Sequence, residues 1–481
     1  MFATDAATHQ HTHAQNRLAV IPTAEKLNAD PRYTGRGVRI AFLDSGFFPH
    51  PDIAGRIVAY HDIWGEDPSL DAITHPQGRH WHGTQTAVTC AGNGSLSDGI
   101  YRGLASSAEL VLIKISKNGR IDDGSIEKGL EWVIEHRERL DIRILNMSLG
   151  GDCDKALDES RINRLAEQLV SLGVIVTVAA GNSDMTHSIP PASSPSVITV
   201  GGYSDGNQFS AAGFDTYHSS YGRTADGLIK PELIAPAMYV AAPTLPGTDD
   251  YVAAEALSML AAAPDYQFWH LLSDCWQDTG LDANIFSVEA PDARAAVDEA
   301  LRERKVVATH YQHVDGTSFA APITASVAAQ MIEANPKLTP AAIKNILTST
   351  AIRLTGHPAI RQGFGVLNAG LSVQKATDEV HPLDDAAYFP PRVEGQAIVF
   401  CHHDHEAGSV ELCGDFNSWK RGEVIFKRNG DGLWRAEIPC LAQGRYRYKL
   451  IVDGTRWTED MTHAFREEDG FGGINSVLLI G

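Results

Sequence analysis

"GVRIAFLDSGF", residues 37–47, is the stretch on which the reading of this chain turns. Val38 to Leu43 is an unbroken apolar run of strand length, and it stops in the turn chemistry of Asp44-Ser45-Gly46. The same form recurs downstream in "AELVLIKIS", "IRILNMSLG" and "VIVTVAAGN". Between these runs lie the amphipathic stretches "SIEKGLEWVIEHRERL" and "ESRINRLAEQLVSLG". Apolar strands alternating with helices predict an α/β fold, a parallel sheet with helices on both faces. Ligands of such sheets bind beyond the carboxyl ends of the strands. Asp44-Ser45, Ser148-Leu149 and Gly181-Asn182 all fall at those ends.

The 481 residues exceed one ordinary core and point to two or three domains. Sixty acidic residues against forty basic ones give a formal charge of −20, which repels phosphate backbones and anionic lipid; no nucleic-acid and no membrane partner is expected. No apolar run is long enough to span a bilayer, and the start "MFATDAATHQHTHAQNRL" lacks the form of a secretory signal. The six cysteines show no CxxC spacing and suit a reducing compartment, although Cys401, Cys413 and Cys440 are near enough in sequence to bridge after export. A cytoplasmic location is expected.

Chemistry enters with "HVDGTSFAAP", residues 313–322, where a turn runs into an alanine-rich helix. Ser318 there is either an N-cap or a nucleophile, and a nucleophile needs a base and a group to orient that base. His82 in "GRHWHGTQTAVTCAGNG" opens another helix and could be structural. Asp44 closes a buried strand, where a carboxylate wants a partner, yet it also suits a simple turn. Together, "DSG" after a strand, "HGT" opening a helix, "AAGN" after a strand and "GTSFAAP" opening a helix resemble the subtilisin-like serine peptidases. The resemblance runs over roughly residues 20–376.

That resemblance implies Ser318 as nucleophile, His82 as general base and acid, Asp44 as the carboxylate orienting the imidazole, and Asn182 as oxyanion donor. It makes Ser148, Leu149 and Gly150 of "NMSLGG" the edge that pairs with extended peptide. It also sets Ile189 of "SIPPAS" at the base of the specificity pocket, where it would disfavour bulky side chains. Relatives usually carry a long inhibitory pro-segment, whereas Asp44 comes early here, so control is expected elsewhere. Calcium is raised as a cofactor by resemblance alone, with no acidic loop to supply named ligands.

The division expected is a tail over 1–18, a peptidase domain over 19–376 with a helical insertion at about 247–305, a linker over 377–395 and a β-sandwich over 396–481. The insertion reads either as a lid or docking surface, or as a decoration without catalytic consequence. The last segment, with "GDFNSW", "YKLIVDG", a following tryptophan and a late "NS", resembles the glycogen-binding type of carbohydrate-binding module. Trp419 and Trp457 would be stacking platforms for an α-glucan such as glycogen, Lys449 and Asn475 polar contacts, and Phe471 a reaching ring. The histidines at 402, 403 and 405 read as solvated rather than metal-binding. The function expected is a serine endopeptidase acting on peptide or protein and targeted to α-glucan. The alternatives are a glycan-binding scaffold with an occluded or inactive peptidase domain, and a sandwich that binds the peptidase domain instead of sugar.

Overall fold

The computed structural model describes residues 19–480 apart from 152–154, 211–212, 226–227, 379–390, 430–431 and 464–465. The opening run forms β1 (Arg39–Asp44), and its side chains alternate between two cores, Ile40 and Phe42 to one and Ala41 and Leu43 to the other. A strand covered on both faces has no solvent side, which is why the run is apolar without a break. Along the chain follow β2 (Ile57–Asp62), α1 (Trp81–Ala91), β3 (Glu109–Lys114), α2 (Asp123–His136), β4 (Ile142–Met147), α3 (Arg161–Ser171), β5 (Ile175–Ala179), β6 (Ile198–Ser204) and β7 (Leu233–Pro236). The seven strands form a parallel sheet in the order β2-β3-β1-β4-β5-β6-β7, with a short antiparallel strand, Asp215–Thr216, beside β6. The strand order changes direction at β1, which lies between β3 and β4, and the carboxyl ends at such a point are where sheets of this kind bind ligands.

Beyond β7 come β8 (Val240–Pro243), α4 (Asp249–Ala262), α5 (Asp265–Thr279), α6 (Ala290–Glu303), β9 (Val306–Ala308), β10 (Tyr311–Val314), α7 (Thr317–Ala334), α8 (Pro340–Thr350), α9 (Ala359–Gln362) and α10 (Ala369–Asp378). Helices α2 and α3 cover one face of the parallel sheet, through Ile126, Leu130 and Leu169. Helices α1, α7, α8 and α10 cover the other, through Ala87, Ile323, Ile346 and Val373. Helix α7 is buried from Phe319 to Ile332, and its alanines let it lie close to the strands. The helical segment α4–α6 has a core of its own around Leu257, Leu260, Phe268, Leu272 and Val297. It leaves and rejoins through the antiparallel order β8-β10-β9, which the sequence reading did not foresee.

Among its described residues the last segment holds the short strands β11 (Arg392–Glu394), β12 (Ala397–His403), β13 (Val410–Gly414), β14 (Lys427–Arg428), β15 (Leu433–Pro439), β16 (Gly444–Val452), β17 (Arg456–Thr458), β18 (Arg466–Glu468) and β19 (Ile474–Ile480). Two antiparallel sheets, β11-β12-β15-β14 and β13-β16-β19-β18 with β17 on β16, enclose Phe400, Leu412, Trp434, Tyr448 and Leu450. Among the described residues no helix is long and apolar enough to cross a membrane, and the five described cysteines are free thiols.

Candidate active site

Asp44 ends β1 almost wholly buried, and its carboxylate is supplied with donors. Oδ1 accepts from the Ser45 N–H at 2.6 Å and from His82 Nδ1 at 2.8 Å, and Oδ2 accepts from Thr86 Oγ1 at 3.3 Å. His82 is the second residue of α1, so its ring stands at the helix start over the end of β1. This approach requires Gly83, because a Cβ there would lie 2.4 Å from Gly46 O and 2.9 Å from Asp44 Cβ. Burial disfavours the imidazolium, but the Asp44 charge and hydrogen bond outweigh it. The pKa of His82 is accordingly raised above the usual 6.5. The Asp44 bond fixes Nδ1–H, leaving Nε2 as the free basic nitrogen.

Ser318 is the second residue of α7, and its neighbour Phe319 lies 6.2 Å, ring to ring, from His82. The backbone of the preceding Gly316 has φ +136°, a conformation that favours glycine and turns the chain sharply into the helix. Ser318 is half exposed and its hydroxyl has no hydrogen bond to the imidazole among the described residues. Beside it, Asn182 Oδ1 accepts from the Thr317 N–H and from Thr317 Oγ1, both at 2.9 Å. An N–H can only donate, so the atom it faces is the carboxamide oxygen, and the exposed Asn182, in the wall of the cavity, keeps Nδ2 outside this clamp. Thr317 Oγ1 also accepts from the Gly181 N–H at 3.1 Å, which clamps the β5 loop to the helix start. Sequence reading missed Thr317; it adjoins Ser318, but its side chain looks toward another loop.

A cavity of about 240 Å³ adjoins these groups, with Leu149, Gly150, Asn182, Met185, Ile189 and Ser318 in its wall. Ile189 presses on Gly150, where a Cβ would lie 3.0 Å from Ile189 Cδ1. Ser148 contributes to the site differently, since its buried hydroxyl donates to Ser318 O at 2.7 Å and so holds the strand edge to the helix.

Also unread in the sequence is the ionic scaffold beneath the loop that precedes His82. Arg79 Nη2 meets Asp67 Oδ1 at 2.7 Å, His80 Nε2 meets Asp67 Oδ2 at 3.0 Å, and Ser45 Oγ donates to Arg79 O at 2.9 Å. The Arg79 hydrogen bond in particular holds the Asp67 carboxyl well below its ordinary range. Lys114, fully buried next to this loop, donates to Asp62 at 2.9 Å and Glu66 at 2.7 Å. Among the described residues no group of three or more His, Cys, Asp or Glu side chains is gathered to hold a metal ion.

In the sandwich, Trp419 and Trp457 lie 6.5 Å apart with planes 32° apart. Trp419 is held by its Nε1–H on Asp415 at 3.0 Å, and Trp457 is 44% exposed. Trp457 pairs across from Ile451, and Lys449 lies two residues along on the same face of β16. Lys449 is tied to Asp469 at 2.6 Å, whose other oxygen accepts the Phe471 N–H at 2.8 Å. Phe471 itself is 96% exposed, whereas Asn475 is buried opposite Glu467.

Residues 35–366 match the Subtilase family, and residues 385–464 match carbohydrate-binding module 48, the isoamylase N-terminal domain. The second match stops before Phe471 and Asn475. The serine protease AprX of Bacillus subtilis (strain 168) is 32% identical over 350 residues, 71% of this chain and 67% of AprX. Subtilisin-like protease 1 of Arthroderma gypseum is 34% identical over 193 residues, 38% of this chain and 36% of that protein. In fold, the chain is similar to fervidolysin from Fervidobacterium pennivorans, a keratinolytic enzyme related to subtilisin. The TM-score is 0.51 at 20% identity, covering 89% of this chain and 55% of that one.

Proposed function

The chain belongs to the subtilase family of subtilisin-like serine proteases and carries a carbohydrate-binding module, and from that premise we propose an endopeptidase working through Asp44, His82, Ser318 and Asn182. Extended peptide would lie along the Ser148–Gly150 edge with one side chain in the adjoining cavity. Rotation of the Ser318 hydroxyl toward the free Nε2 of His82 lets the imidazole take its proton as Oγ attacks the carbonyl. The imidazolium is stabilised by Asp44 and then protonates the leaving amine; water repeats the cycle on the acyl-enzyme. The observation that supports this reading is the clamp on Asn182: its Oδ1 is taken up by Thr317, which leaves the amide N–H to serve as the proposed oxyanion donor.

Removing such a donor costs about 2.7–4 kcal/mol in subtilisin itself, the system from which that figure comes. Ile189, crowding Gly150, favours small and medium side chains in the pocket. The test is cleavage of a peptide library by wild type and Ser318→Ala. Activity lost in the variant supports the reading, equal turnover by both contradicts it, and a profile led by Phe or Tyr contradicts the pocket assignment.

The sandwich would bring this activity to α-glucan through Trp419 and Trp457, with Lys449, Phe471 and Asn475 around them. Attachment to a glucan particle raises the local concentration of enzyme near proteins on that particle. Retention on amylose, lost in Trp457→Ala, supports the targeting; passage of the wild-type chain without retardation contradicts it.

A further inference from the structure

The sandwich is docked onto the peptidase domain through a buried arginine. Arg466, at the start of β18, is only 1% exposed. Its guanidinium carbon lies 4.0 Å over the ring of Phe364 and its Nη2 donates to Ile229 O at 3.3 Å, both in the other domain. Arg223 Nη1 donates back to Arg466 O at 3.4 Å, and Glu459 pairs with Arg353 beside it. Of the guanidinium itself only Nη2 is hydrogen-bonded among the described residues, Nε and Nη1 being buried without such a partner, so the stacking on Phe364 is its main contact with the other domain. Register puts Arg466 opposite Ser476, and Glu467 opposite Asn475, so docking uses the strand face opposite to the one proposed for sugar.

Phe364 ends a segment that leads to the cleft. Its N–H donates to Glu232 O at 2.8 Å, and just before it α9 carries Arg361. Arg361 bonds Asp184 Oδ1 at 2.8 Å and lies 4.4 Å over the ring of Tyr221. Asp184 stands two residues past Asn182. The Tyr221 N–H donates to Met185 O at 2.8 Å, and the Ser220 N–H donates to Gly181 O at 3.0 Å. Met185, Ser220 and Gly181 all line the cavity beside Ser318. The short helix α9 therefore has one clamp on the pocket wall and the other on the sandwich.

We propose that Arg466 is a positioning residue for proteolysis: by capping Phe364 it holds α9, and through Arg361 it steadies the wall that carries Asn182. This rests on the reading of the cleft as a working peptidase site. Without the guanidinium, Phe364 loses its cover on the sandwich side, and the segment is held only from within the peptidase domain, by bonds such as Phe364 N–H to Glu232 O and by the partly exposed Arg361–Asp184 pair.

The test uses the full chain as wild type, Arg466→Ala, Arg466→Lys, Arg361→Ala and the Arg361→Ala/Arg466→Ala double variant. Each is assayed on a short, sugar-free peptide, with active sites counted by a fluorophosphonate. Arg466→Ala should lower kcat/KM per titrated site by about two- to thirtyfold. Arg466→Lys should recover part of the loss, keeping the charge without the flat stacking surface. The double variant should be no worse than the poorer single one, because both cut the same path. Unchanged per-site constants in Arg466→Ala, with or without a lower Tm, or strictly additive losses in the double variant, overturn the proposal. If Arg466→Ala does not fold, Arg466→Lys carries the comparison, and wild-type per-site constants in it count against the proposal. A wild-type chain that takes up no probe instead sinks the peptidase reading, which separates the two failures.

Discussion

Replacing Thr317 by valine keeps shape and removes one oxygen whose two bonds are known. Thr317 Oγ1 donates to Asn182 Oδ1 at 2.9 Å and accepts from the Gly181 N–H at 3.1 Å, while the Thr317 N–H keeps its own 2.9 Å bond to Asn182. Half of the clamp on the carboxamide is lost and one backbone donor is left without its partner. A hydrogen bond is worth about 0.5–1.5 kcal/mol net, and a stranded buried donor costs about 1–3 kcal/mol. Gly181 is only half buried, so water takes up part of that cost, and folding should lose roughly 1–3 kcal/mol. For catalysis the ceiling is removal of the donor, about 2.7–4 kcal/mol. With one of two restraints kept, Thr317→Val should lose roughly 1–2 kcal/mol of transition-state stabilisation, about five- to thirtyfold in kcat. Thr317→Ser, which keeps the hydroxyl, should stay near wild type. The assay is kcat on a peptide ester, normalised to titrated sites, with Asn182→Ala as the lower bound. Equal kcat for Thr317→Val and wild type would refute the clamp, as would a loss in Thr317→Val exceeding that in Asn182→Ala.

The raised pKa of His82 sets the acid limb of the pH–kcat/KM profile above the ordinary 6.5, and Asp44→Asn, which leaves desolvation unopposed, should move it down; a limb unmoved by that change contradicts the pairing. Because the folded pKa lies above the unfolded one, the pair's contribution to stability is complete below the unfolded value and fades as pH rises through the folded value. The Tm gap between wild type and Asp44→Asn should therefore narrow with rising pH. Gly83→Ala must push α1 off the end of β1, given the 2.4 Å approach to Gly46 O, and should cost about 1–3 kcal/mol by urea melting together with most activity; unchanged activity would show that the helix start has slack. Lys114→Met strands Asp62 and Glu66 and should destabilise by about 3–5 kcal/mol; a loss below about 1 kcal/mol would mean the carboxylates find other partners.

Much of this was legible in the chain because each informative residue sits where a regular element ends. Periodicity and turn chemistry placed Asp44 after a continuous apolar run, His82 and Ser318 at helix starts and Asn182 past a strand, while the roles proposed for them came from the resemblance to subtilisin-like peptidases. The parallel sheet followed from runs such as Ala41–Leu43, which feed two cores. Edge strand β2 escaped notice because its residues are half exposed and carry no clean period. Strand β6 escaped because Gly201 and Gly202 break its apolar run; the second is needed where a Cβ would meet Ala237 Cβ at 2.3 Å. What could not be read was anything resting on long-range polar pairing. Thr317 on Asn182, Asp67 beneath Arg79 and His80, and Arg466 over Phe364 are each ordinary residues locally, and only the fold brings the partners together.

The most direct test is to react the intact chain with a fluorophosphonate and map the adduct by mass spectrometry. A single modification on Ser318, absent in Ser318→Ala and strongly slowed in His82→Ala, is the expected result. Label scattered over other serines, or uptake by Ser318 at the same rate without the imidazole, would contradict the account.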